Sequence, residues 1–133
     1  MKEEVNIKMN KEIISTKKAP SAIGPYSQGM IVGDLVFTSG QIPLNPENGE
    51  LVTEISKATV QVMANLSAVL EAAGSSLEKV IKTTIFLQDL NDFEKVNEIY
   101  GDYFKDNLPA RSCVQVAKLP KGAIIEIEAI AIK

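Results

Sequence analysis

The chain has 133 residues, 45% hydrophobic and 23% charged, with a net charge of −3 from 14 basic and 17 acidic side chains. That length suits one core, the composition excludes a disordered or fibrous class, and scattered Lys and Arg give no electrostatic footprint for nucleic acid. The absence of histidine excludes Ser-His-Asp and Cys-His nucleophilic systems, His general acid–base catalysis and His metal sites.

Residues 1–10 are charged rather than apolar and are expected to form a short flexible arm, leaving one domain over 11–133. A single cysteine cannot close an internal disulfide. With no secretory pattern ahead of the domain, the expected setting is reducing and cytoplasmic. No apolar run is long enough to cross a membrane as a helix.

Residues 12–16 and 27–32 are predicted strands, separated by a loop rich in proline and glycine. Gly33-Asp34 is a tight turn into a third strand beginning "LVFTSGQI", which makes a hairpin. From Glu54 to Ala73 the apolar positions Ile55, Ala58, Val62, Met63, Leu66, Val69, Leu70 and Ala73 keep helical spacing. Thr53 is the expected N-cap and Gly74 the expected C′ residue. The β-branched run 79–88 is a fourth strand. A second helix is expected to follow an Asn91 cap with Glu94 three residues on, and it carries Phe93, Val96, Ile99, Tyr100, Tyr103 and Phe104 at helical spacing. Two final strands cover about 111–117 and 123–132, and the spacing leaves open whether they are neighbours. The order β-β-β-α-β-α-β-β predicts an α+β domain with two helices on one face of a mixed sheet.

The last strand has two apolar faces. Ile125, Ile127, Ala129 and Ala131 point one way, and Ile124, Glu126, Glu128, Ile130 and Ile132 the other. A monomer would leave one of them in water, so a homo-oligomer is expected.

The same alternation puts Arg111, Cys113 and Gln115 on one face of the preceding strand. A guanidinium at a strand entrance suits bidentate binding of a carboxylate, whereas its structural alternative is an ion pair with Glu126 or Glu128. Glu126 lies among isoleucines, where burial would raise its pKa and suit it to acid–base work. Cys113, without a histidine to activate it, reads as a small buried hydrophobe rather than a nucleophile, with a backbone or sulfur that could line a pocket. Tyr26 follows Gly-Pro on a stiff loop, with core packing as its usual fate. Gly40, at a strand end, leaves room for a ligand to approach the backbone or marks a bulge.

The segments "SAIGPYSQG", "FTSGQIP", "EAAG", "VIKTTIFLQDLNDFEKVNEIY", "PARSCVQVAKLP" and "IEIEAIAI" occur in that order, and from about Ser15 to the C-terminus the chain resembles the RidA/YjgF family of enamine/imine deaminases. The resemblance implies a chorismate-mutase-like fold assembled as a homotrimer with clefts between subunits. It also implies hydrolysis of imines such as 2-iminopropanoate and 2-iminobutanoate to 2-keto acids and ammonia without a cofactor or metal. The same likeness assigns catalytic roles to Arg111, Glu126 and Tyr26, and substrate binding to Arg111, Cys113, Gly40, Ser39 and Asn97. Non-catalytic binding of 2-keto acids and an endoribonuclease activity are the alternatives it leaves. Glu128 is left without a role.

Overall fold

A computed structural model describes residues 10–133. The expected arm therefore lies, except for Asn10, outside the described residues.

The strands are β1 (Lys11–Ile14), β2 (Gly29–Val32), β3 (Leu35–Thr38), β4 (Val80–Leu87), β5 (Ala110–Gln115) and β6 (Ile125–Ile132); the helices are α1 (Ile55–Ala72) and α2 (Phe93–Phe104). Gly33 sits at φ +58 in the β2–β3 turn, a left-handed conformation that glycine adopts without strain. Two caps differ from expectation. Glu54, not Thr53, starts α1, because its longer side chain reaches back to accept from the N–H groups of Ser56 and Lys57 at 3.1 and 2.8 Å. Those two bonds hold its carboxyl below the usual carboxylate range. Before α2 it is Asp89 that accepts from the Asn91 N–H at 2.9 Å. A turn of 3-10 helix over Leu90–Asp92 then leads into α2, so Asn91 caps nothing. Gly74 ends α1 as expected, with φ +80. Its N–H donates to Glu71 O and the Ser75 N–H to Leu70 O, the paired bonds of a Schellman motif.

The six strands form one mixed sheet in the order β1-β2-β3-β6-β4-β5, in which β4 and β5 are parallel and the other pairs antiparallel. The α+β arrangement with two helices on a mixed sheet is as expected. The two last strands are not neighbours: β4 lies between β5 and β6.

Both helices cover one face. Val62, Met63, Leu66, Val69 and Leu70 of α1 and Val96, Tyr100 and Phe104 of α2 share a buried cluster with Ile85, Leu87, Ile125, Ile127 and Ala131 of the sheet. Gly29 marks how closely α1 approaches, since a Cβ there would stand 2.8 Å from Ile14 Cδ1 and 3.1 Å from Val69 Cγ1. The opposite face is open. It carries Ile13, Leu35, Phe37, Val114 and Ile132, all exposed, so the two-faced reading of β6 holds and an apolar surface remains uncovered in the single chain.

A candidate active site in two halves

Register decides where the predicted residues go. Arg111 pairs with Thr83 across β5 and β4, and Thr83 pairs with Ala129 of β6, so all three point to the helix face. Cys113 pairs with Ile85 on that same face, and Ile85 with Ile127. Glu126 pairs with Phe86 and Glu128 with Thr84, one step out of phase, which turns both carboxylates to the open face. The ion pair between Arg111 and Glu126 or Glu128 is thereby corrected: a sheet separates the partners.

On the helix face α2 meets Arg111 with one stripe of its surface. Phe93, Asn97 and Tyr100 stand at i, i+4 and i+7 and so share a side of the helix. The guanidinium donates to Asn97 Oδ1 at 2.6 Å. Its Cζ lies 5.3 Å from the Phe93 ring centre and 5.1 Å from that of Tyr100, both within cation–π range. Tyr100 is held in turn by a 2.6 Å hydrogen bond with the buried Thr83 hydroxyl. Burial raises the Tyr100 pKa, keeping the ring a neutral phenol. The arrangement stacks and orients the guanidinium, leaving the rest of its donor fork for an anion. Cys113 is partly buried beside it. Burial pushes its thiol pKa up, with the Arg111 charge opposing only in part, so the thiol stays protonated and unreactive at neutrality.

The other half surrounds Glu126. A cavity of about 310 Å³ is lined on its polar side by Tyr26, Ser39, Gly40 and Glu126, and on its apolar side by Ile23, Ile42, Leu44 and Pro120. Tyr26 is half exposed here, contrary to core packing, because its Gly24-Pro25 turn carries the ring out over the cavity. Its hydroxyl accepts from the Ile23 N–H at 3.4 Å. Ser39 donates its hydroxyl to Ser27 O and its N–H to Gln28 O, tying the end of β3 to the tyrosine loop. Gly40 is needed for a reason internal to the protein: a Cβ there would stand 2.6 Å from Glu126 Cδ. The missing side chain makes room for the carboxylate itself. Desolvation first, and then the charge of Glu128, hold the Glu126 carboxyl above its ordinary range. That direction suits a group that must take and return a proton near neutrality.

Three supporting residues carried no signal beyond helical or strand patterning: Gln28, Asn65 and the Arg111-stacking pair member Phe93. Asn65 is buried in α1 and donates to the carbonyls of Ile42 and Leu44 at 3.1 and 2.9 Å, pinning the apolar wall of the cavity. The seven predicted residues thus fall into two sets: Arg111, Asn97 and Cys113 on the helix face, and Tyr26, Ser39, Gly40 and Glu126 beside the open face. Among the described residues no cluster suited to a metal ion occurs, and no helix is long and apolar enough to cross a membrane.

The sequence profile described as Endoribonuclease L-PSP matches residues 16–133. A RutC family protein of Pyrococcus abyssi is 53% identical over 94% of this chain and 99% of its own length. The human 2-iminobutanoate/2-iminopropanoate deaminase is 51% identical over 92% of this chain and 90% of its own. Among solved structures, Escherichia coli TdcF with bound serine superposes with a TM-score of 0.88 at 48% identity, covering 92% of this chain and 98% of that one. With its sheet order, its two half-sites and these matches along nearly the whole chain, the protein belongs to the RidA/YjgF family, the family of the Endoribonuclease L-PSP profile.

Proposed function

We propose that the protein is a hydrolytic deaminase of reactive enamine/imine intermediates, converting 2-imino acids such as 2-iminopropanoate and 2-iminobutanoate to 2-keto acids and ammonia. The observation that carries this reading is the division of the site. On the helix side the residues that touch the oriented cation are Asn97 and two aromatic rings, with no carboxylate among them, and a carboxylate of raised pKa lines a cavity that contains no cationic side chain. Either half alone is chemically incomplete. The names of the human and bacterial relatives point to the same reaction.

In this reading the protein works as a cyclic homotrimer, with the Arg111 half of one copy facing the Glu126 half of the next. The exposed apolar face of the sheet is the surface such an assembly would bury. Arg111 binds the substrate carboxylate, with Asn97 fixing its orientation and Cys113 lining the floor. The enamine first tautomerises to the imine, whose carbon is already electrophilic. Glu126 takes a proton from water as the C–O bond forms, and delivers it to the nitrogen of the resulting carbinolamine. The hydroxyl proton then passes through Glu126 to the nitrogen as the C–N bond breaks, so that the keto group forms and ammonia leaves. Water is consumed and one ammonia released per turnover. Tyr26 bounds the reacting carbon from above, and Ser39 and Gly40 hold the wall against which Glu126 rests. Positioning plus one base suffices for so reactive an electrophile.

The test is complementation between inactive variants. Arg111→Ala and Glu126→Gln are each expected to lose imine-hydrolysis activity. When they are unfolded together and refolded at equal concentration, roughly a quarter of the clefts in a randomly mixed ring combine an intact Arg111 with an intact Glu126. Activity should return to about that fraction of wild type. No recovery, in mixtures whose hybrid assembly is verified by native mass spectrometry, would overturn the shared site. Absence of hydrolysis in the wild-type protein would overturn the reaction.

A further inference from the structure

Gln28 is 5% exposed, and both ends of its side chain are spent on the main chain of the long β1–β2 loop. Its Oε1 accepts from the Thr16 N–H at 2.7 Å. Its Nε2 donates to Pro20 O at 2.7 Å and Thr16 O at 3.0 Å, with Ala19 O at 3.4 Å. Its own carbonyl accepts from the Ser39 N–H at 2.9 Å, next to Gly40, which abuts Glu126. One residue therefore joins the rim of the cavity to the wall behind the carboxylate. The rim segment it anchors leads to Ile23, which lines the cavity yet is 60% exposed. Ile23 thus shares the apolar lining with Ile42 and Leu44 without being part of the core.

We infer that Gln28 is a positioning residue that holds the 16–23 rim at a fixed height above Glu126, and that this height, through Ile23, sets the side-chain width of the imino acid accepted. The inference rests on the imine-deaminase reading and adds its specificity element. The substrate class it defines is 2-imino acids with aliphatic side chains, discriminated by width against the wall of Ile23, Ile42 and Leu44. A width set by packing is sensitive to single methylenes, whereas a loose rim discriminates little.

The experiment compares kcat/KM for imines generated in the assay from L-alanine and from L-leucine by an amino-acid oxidase, with uncatalysed hydrolysis subtracted. Wild type is expected to separate the methyl from the isobutyl imine by about tenfold or more. Gln28→Glu keeps the acceptor and the volume but removes the Nε2 donors. Gln28→Met keeps the length and removes both functions. Each should raise KM more than it lowers kcat and bring the ratio of the two imines toward one. Ile23→Ala, at an exposed position that folding does not depend on, should shift the same ratio, and it decides the matter if the Gln28 variants fail to fold. A wild-type ratio of one would overturn the inference. So would folded Gln28 variants, or Ile23→Ala, retaining the wild-type ratio. Those outcomes leave hydrolysis of the alanine-derived imine intact, and so are distinct from failure of the deaminase reading itself.

Discussion

On the helix-covered face of the sheet, the polar groups around Arg111 are already engaged. Asn97 receives its guanidinium, Thr83 and Tyr100 bond each other, and two aromatic rings flank the charge. On the open face Glu126 receives no hydrogen bond from the described residues, and its neighbour along the strand is a second carboxylate, Glu128. The first setting is built to keep a charge fixed and permanent, as suits binding. The second makes a charge costly, as suits a group that exchanges protons. In the proposed reaction, binding and proton transfer fall to environments with opposite electrostatics, and a six-stranded sheet keeps Arg111 and Glu126 from neutralising each other in one chain.

The largest effect should come from breaking the binding side. Arg111→Ala should lower kcat/KM by about a hundredfold or more, as loss of an oriented cation from a charge pair does. Arg111→Lys should recover little, because a lysine cannot both stack between rings and donate through a planar fork. Equal activity of the lysine variant in the pyruvate-release assay would show that only charge matters there, erasing the contrast in geometry between the two faces.

A smaller loss should follow Gly40→Ala. The added Cβ meets the Glu126 carboxyl group, the end of a flexible side chain, at 2.6 Å, so the carboxylate shifts rather than the backbone. A displaced base should cost roughly tenfold in kcat with little change in KM. A variant that lost binding instead, measured by titration with a 2-keto acid, would mean that Gly40 serves the ligand directly.

The smallest effects are electrostatic. Glu128→Gln removes the second cause of the raised Glu126 pKa, so the acid limb of the pH–kcat/KM profile should move to lower pH. An unmoved limb would leave burial as the sole cause. The stability sign follows from the same shift. The folded state binds the Glu126 proton more tightly than the unfolded chain does, so the carboxylate lowers stability as pH rises through the interval between the two pKa values. Glu126→Gln should therefore be slightly more stable than wild type at neutral pH, by less than about 1 kcal/mol given the partial exposure of the group, and equal to it in acid. Denaturant midpoints at the two pH values check this.

Most elements were legible because their patterns are local. The 3.6-residue repeat of α1, the glycine behind it and the period of two in β6 each follow from a few consecutive side chains. The caps were misread for equally local reasons: two adjacent residues compete for one helix start, and the longer arm of Glu54 outreaches Thr53. Before α2 the acceptor lies two residues earlier, because a 3-10 turn intervenes. Tyr26 defeated expectation since its Gly-Pro turn, not its hydrophobicity, directs the ring. Gln28 stood unremarked in a strand pattern, because a side chain that bonds backbone carbonyls twelve and eight residues away carries no local signature.

The sequence by itself determined the elements, the two-faced last strand, the family, and which residues had the chemistry to act. Only the tertiary structure decided which of those residues share a side. Strand order is set by long-range pairing, and the insertion of β4 between β5 and β6 fixes the phase between Arg111 and Glu126. A shift of one residue in that register would have turned them to the same face, because side chains alternate with period two.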